Sequence, residues 1–168
     1  FKETFTQHWR QHLSQQSKLE FYGSLEPEFN QWPKQYLQSV KNFDHRATLT
    51  QLRVSAHQLA IERGRYTKTD RKDRLCTICD ANAVEDERHF LRDCTGLHNE
   101  RSYLIDRLAE GDFFGVRATR RLADPSLLLN PSGQHDIGRS ESEEVLRLCA
   151  KQIHRMYKRR TAILETKD

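Results

Sequence analysis

Apolar residues recur at helical spacing along most of the chain. Phe1, Phe5, Trp9 and Leu13 repeat every fourth position and predict an N-terminal helix whose large side chains join the core. Residues 18–33 lose this period around Gly23, Pro27 and Pro33 and read as a loop with one helical turn. Tyr36, Leu37 and Val40 predict a short helix after Pro33, with Trp32 and Tyr36 also packing inward. A longer helix is expected from an Asp44 N-cap, with Leu49, Leu52, Ala56 and Leu59 on one face and Gly64 as its stop. The stretch Val84–Leu91 reads as a short helix carrying Glu85, Asp86 and Glu87 in its first turn, where the helix dipole favours acids. Residues 98–109 form another, with Leu104, Ile105 and Leu108 inward and Gly111 behind them. One short helix near 117–123 is expected within a mainly loop-like 112–140. A final helix runs from about 141 to 163, opened by Glu141, Glu143 and Glu144 and burying Val145, Cys149, Ile153 and Met156. The only strand signal is a hairpin among the clustered cysteines. The pattern predicts an all-α domain, mainly helical, built around a small knuckle. It divides into a helical part (1–62), a central strip and knuckle (63–97) and a second helical part (98–168), forming one compact unit.

Composition narrows the class. Of 168 residues 31% are charged and 36% apolar, with 7 Gly and 4 Pro, which excludes collagen-like, disordered and turn-dense all-β chains. No apolar run approaches the roughly 20 residues that span a bilayer. The start, Phe1-Lys2-Glu3-Thr4, has neither basic n-region nor apolar h-region, and reads as a piece of something longer rather than a secretory leader.

The four cysteines are Cys76, Cys79, Cys94 and Cys149. A secreted disulfide scaffold would be denser in cysteine, so an intracellular setting is expected, with the clustered three bound to metal. With His89 they spell C-x2-C-x9-H-x4-C. Zn²⁺ takes four tetrahedral ligands, and Cys₃His is a closed structural set that leaves no site for a reactive water. One structural Zn²⁺ is expected on Cys76, Cys79, His89 and Cys94. His98, at Cys94-x3-His98, is a less favoured competitor for His89, and Cys149 lies on an apolar face and reads as core.

Charge acquires meaning from its position. The chain carries a net +4, and the strip from Arg63 to Arg74 holds six bases and two acids, which is the whole excess. Arg63, Arg65, Lys68, Arg71, Lys72 and Arg74 form an electrostatic footprint for phosphates, beside the knuckle, and Tyr66 is placed to stack on a base. A second group, Arg155, Lys158, Arg159 and Arg160, fits phosphate contact and complementarity to the helix dipole equally well. No phosphate loop, nucleophile elbow, dinucleotide fingerprint or H-E-x-x-H pattern is found. Asp124-Pro125-Ser126 lacks the following acid-x-Lys of a PD-(D/E)-x-K nuclease. No catalytic role is expected of this stretch of chain.

Residues 49–94 resemble the segment downstream of the reverse transcriptase in animal non-LTR retrotransposon polyproteins. The likeness rests on Arg53, Ser55, His57, Leu59, Ile61, Glu62, Gly64, Arg65, Arg74, Cys76, Cys79, Val84, Glu85, Asp86, Glu87, His89, Phe90, Leu91 and Cys94, with Arg101 as a later base. Thr95 stands where that family often has Pro. The resemblance implies a reverse-transcriptase domain upstream and an RNA-directed DNA polymerase as the parent protein. The knuckle would then grip template RNA or target DNA during target-primed reverse transcription in the nucleus. The restriction-like endonuclease of some related elements is not carried over, because residues 95–168 lack its motif. The rival expectation is a zinc-stabilised scaffold that docks protein rather than nucleic acid, in an active element or a domesticated copy. No membrane partner is expected.

Overall fold

The computed structural model describes residues 2–25, 34–111, 129 and 138–167. They form an all-α domain containing a small Cys-Cys-His-Cys cluster. The helices are α1 (Lys2–Gln15), α2 (Glu20–Leu25), α3 (Gln35–Ser39), α4 (Phe43–Arg53), α5 (Ala60–Tyr66), α6 (His98–Glu110) and α7 (Arg139–Glu165). Among the described residues the only β pairing is one antiparallel bridge, Leu75 to Val84. No described helix is long and apolar enough to cross a membrane.

The 27-residue α7 is the strut of the molecule. At about 1.5 Å per residue it is roughly 40 Å long. Helices α3, α4 and α6 pack along it. The stripe Val145, Cys149, Ile153 and Met156 is buried as its spacing predicts, joined by Leu146 and Ala150. Against it lie Leu49 and Leu52 of α4 and Leu104 and Leu108 of α6, in one core cluster that also takes Phe90, Leu91 and Leu97 from the knuckle.

Three expectations are corrected. The helix expected from Asp44 to Arg63 is two. Asn42, not Asp44, caps α4, accepting the His45 N–H at 3.0 Å, and the chain breaks after Arg53 at Ser55, whose φ is +50°. That left-handed turn strains a non-glycine residue, and the Ser55 hydroxyl donating to Glu87 at 2.6 Å holds it. Ala56 therefore lies exposed, while Leu59 is buried just before α5. Gly64 is no stop but a buried member of α5; a Cβ there would lie 2.5 Å from the Arg74 side chain. The third correction is α1. Phe5 is 52% exposed, and Trp9 and Leu13 are only half-buried. Among the described residues this helix packs chiefly on α2 and the Ser17–Leu19 turn. Phe1, Trp32 and the helix expected near 117–123 lie outside the described residues.

Candidate metal centre

Two pieces of backbone bring the metal-ligating side chains together. The first is a hairpin-like turn. Cys76 N–H donates to Ala83 O at 2.8 Å and Glu85 N–H to Arg74 O at 2.9 Å, so Cys76 and Cys79 sit where the chain reverses. The second is a short helical stretch in which His89–Asp93 form a π turn. Asp86 caps it, its carboxylate accepting the His89 N–H at 2.8 Å. The π turn explains the x4 spacing. In an α-helix the fifth residue on points about 140° away from the first. Here Cys94 N–H bonds to His89 O at 2.8 Å, five residues back, and both side chains reach one centre.

The four ligand atoms of Cys76, Cys79, His89 and Cys94 lie within 4.8 Å of one another. Cys76 Sγ is 3.8 Å from Cys94 Sγ, and Cys79 Sγ is 3.3 Å from His89 Nε2. Two sulfurs bound tetrahedrally at about 2.3 Å stand about 3.8 Å apart, and a sulfur and an imidazole nitrogen about 3.6 Å. The geometry thus fits a tetrahedral cation, and the cluster is capable of coordinating a metal ion. The groups also bind protons collectively. The Cys94 contact, ahead of burial, pushes the Cys76 thiol up to about 12, and the same contact holds Cys94 below its ordinary value. Hydrogen bonding to Cys76, and then to Cys79, outweighs burial and raises His89 to about 9. A divalent cation competes with those protons for the same lone pairs. His98 lies outside the cluster, exposed, 3.4 Å from the Ser102 hydroxyl. Cys149 is fully buried in the core, and burial lifts its thiol to about 12.

A supporting frame surrounds the ligands. The backbone N–H groups of Ile78 and Gly96 point at Cys76 and Cys94 respectively. Gly96 approaches Ile78 so closely that a Cβ would lie 2.3 Å from the Ile78 carbonyl oxygen. Arg101 Nη2 donates to Cys94 O at 2.5 Å.

Glu85 and Glu87, expected as acids in the first turn of a helix, are buried, at 2% and 6% exposure. Glu85 lies in the extended segment beside the bridge. Its carboxylate takes both arms of Arg160, at 2.6 and 2.7 Å, and the Ala60 N–H at 2.7 Å. Glu87 accepts from Ser55 at 2.6 Å and meets His57 Nε2 at 2.9 Å. Burial works against its charge, but the His57 and Ser55 bonds prevail and hold its carboxyl below the ordinary range. Sequence reasoning missed this frame. One signal was legible: Arg160 falls four residues after Met156, on the apolar stripe of α7, where an unpaired cation does not belong.

The basic strip divides into two sets. Arg74 turns inward beneath Gly64, donating to Thr69 O at 2.9 Å and Ile61 O at 2.7 Å, and so positions the loop. Arg65 pairs with buried Glu62 at 2.8 Å and reaches Ser17. Arg71 makes an exposed pair with Glu20 at 3.3 Å. Arg63, Lys68 and Lys72 are exposed with no hydrogen bond or ion pair to the described residues, and Tyr66 is 81% exposed. Arg63 and Thr67 border a cleft of about 220 Å³ that reaches Thr77 of the knuckle. No protein-family model, curated protein or solved structure matches this chain.

Proposed function

We propose that this chain is a zinc-stabilised nucleic-acid-binding module, accessory to a reverse transcriptase encoded upstream of it. Cys76, Cys79, His89 and Cys94 hold one Zn²⁺, which supplies fold energy and, with four protein ligands, no hydrolytic water. Arg63, Lys68 and Lys72 contact phosphates, with Arg65 and Arg71 at the flank and Tyr66 as a stacking surface. Arg74 acts by shaping the strip. The observation that carries the reading is the pairing of a cluster whose distances match a tetrahedral ion with an adjoining set of exposed cations that have no partner among the described residues. The reverse-transcriptase setting is supported by the resemblance of residues 49–94 alone.

The test has two arms. Metal analysis of purified protein is expected to return about one zinc per chain. Single- and double-stranded RNA and DNA are titrated at low and moderate salt, and affinity is expected to fall steeply as salt rises. Neutralising Arg63 and Lys72 makes that slope shallower by roughly 1.5 to 2. Absence of binding to any of the four nucleic acids at low salt sinks the nucleic-acid reading and leaves a zinc-stabilised scaffold.

A further inference from the structure

The outer face of α7 is a basic surface that this reading leaves unused. Between Glu144 and Glu165 the helix holds Arg147, Lys151, Arg155, Lys158, Arg159 and Arg160, and no carboxylate. Arg160 turns inward to Glu85, and the other five are exposed. Arg147, Lys151 and Arg155 follow at intervals of four residues and Lys158 three further on, so the four share one side of the helix, opposite its buried stripe. The row extends roughly 16 Å.

Ordinary explanations do not cover it. The helix dipole favours cations only in the last turn, and Lys151 and Arg147 lie about four and five turns before Glu165. Among the described residues acid partners are few: Glu143 stands 4.0 Å from Arg147, and Glu100 of α6 stands 3.8 Å from Arg159. Lys151 and Lys158 make no hydrogen bond or ion pair with the described residues. Lys151 has Arg147 and Arg155 one turn away on either side, and Lys158 has Arg155 one turn before it, an arrangement that weakens a helix unless a polyanion relieves it.

Flat rings flank the row on both sides. On α6, Tyr103 is 50% exposed, with the Arg155 guanidinium 5.7 Å from its ring centre. On α4, His45 lies with its ring centre 5.1 Å from that of His154. Burial first, and then His154 and Lys151 for His45 and Lys158 for His154, hold both imidazoles below their ordinary range; Asp44 opposes this. Cations interleaved with planar rings suit a nucleic-acid strand better than an acidic protein surface, because phosphates and bases alternate in the same way.

We propose that the outer face of α7, with Lys151, Arg155 and Lys158 in a row and Tyr103 beside them, is a second surface for a phosphodiester backbone. The proposal rests on the nucleic-acid reading of the chain but uses residues separate from the basic strip. The row leads toward the knuckle, since the far end of α7 meets it through Arg160 and, just beyond the helix, Lys167 Nζ donates to Thr77 O at 2.6 Å.

Lysine footprinting on the intact, zinc-loaded chain separates the two surfaces without any substitution. The protein is acetylated with and without single-stranded RNA, single-stranded DNA or duplex DNA, and each lysine is read by mass spectrometry. Protection of Lys151 and Lys158 by at least one of these is expected, and the arm that protects best identifies the strand type. Protection of Lys68 and Lys72 alone overturns the α7 surface and leaves the strip intact. Protection of Lys151 and Lys158 alone supports α7 and removes the strip. Protection of neither pair overturns both. In a second measurement the combined Lys151→Gln, Arg155→Gln and Lys158→Gln variant, whose sites are all exposed, melts no lower than the parent, since it removes like-charge neighbours. It is expected to lose about tenfold or more in affinity at moderate salt, with a salt slope shallower by roughly 2 to 3. An unchanged affinity and slope overturns the proposal.

Discussion

Helices α4, α6 and α7 meet through apolar stripes: Leu49 and Leu52, Leu104 and Leu108, and Val145 through Met156. The segment 75–97 enters the same core with Ile78, Phe90, Leu91 and Leu97, but its backbone is shaped by directed contacts. These are a π turn, one bridge, the four ligand side chains, and the carboxylates Glu85 and Glu87. Apolar burial is additive and forgiving, so the bundle degrades gradually when one side chain is trimmed. Directed contacts are few and each leaves a costly group behind when its partner goes. The knuckle is therefore the region that fails as a unit, and the bundle is the region that yields by degrees.

The strongest way to break this contrast is metal removal. With a chelator, amide protection is expected to vanish from Cys76 to Cys94 while Val145 to Met156 in α7 stay protected, as followed by hydrogen exchange. Simultaneous loss along the whole chain means that the bundle has no stability of its own. Next comes the seam between the regions. Glu85→Gln or Arg160→Met alone leaves a buried charge unpaired and is expected to cost about 3–5 kcal/mol in denaturant unfolding. The double replacement recovers part of that loss. Leu52→Ala, inside the bundle, is expected to cost about 2–5 kcal/mol through its cavity while leaving metal affinity unchanged. Gly96→Ala does the reverse. Its Cβ would press on the Ile78 carbonyl, and metal affinity measured by competitive titration falls about 10–100-fold with little change in the bundle.

The smallest effect is a separation by pH. His45 and His154 have folded values below the ordinary 6.5, so the unfolded chain binds the protons first. Their seam between α4 and α7 loses stability as pH falls below 6.5 toward those lower values. Glu87 is also held low, so its contribution is present above its ordinary 4.5 and is lost as pH falls through the lower folded value. Unfolding midpoints measured against pH are expected to show the first window disappear in a His45→Gln, His154→Gln variant. The second is expected to disappear in Glu87→Gln.

Much of this architecture was legible in the linear pattern. The stripe of α7 and the inward face of α6 follow from spacing alone, because a long amphipathic period has only one helical solution. The Cys76, Cys79, His89 and Cys94 cluster was also legible, since a closed ligand set is written in residue type and local separation. The break at Ser55 was not. The strain there is compensated by Glu87, 32 residues away, and no local preference records that bond. Gly64 misled for the same reason: a glycine near a helix end usually marks a C-cap, but here it makes room for Arg74.

The same distinction governs the charges. Sequence by itself determined that the chain is helical, that it holds a Cys₃His set, and that a basic strip adjoins that set. Only the tertiary structure decided which cations build the molecule and which face outward. Arg74 carries the same charge as Arg63 and Lys68, and nothing in its immediate neighbours tells it apart, while Arg160 differs from Lys158 only in falling on the apolar stripe of α7. The difference lies in burial and in a partner brought from a distant part of the chain, such as Glu85 for Arg160. An unpaired charge cannot stay in a low-dielectric interior, so the fold pairs those it encloses and leaves the remainder in water.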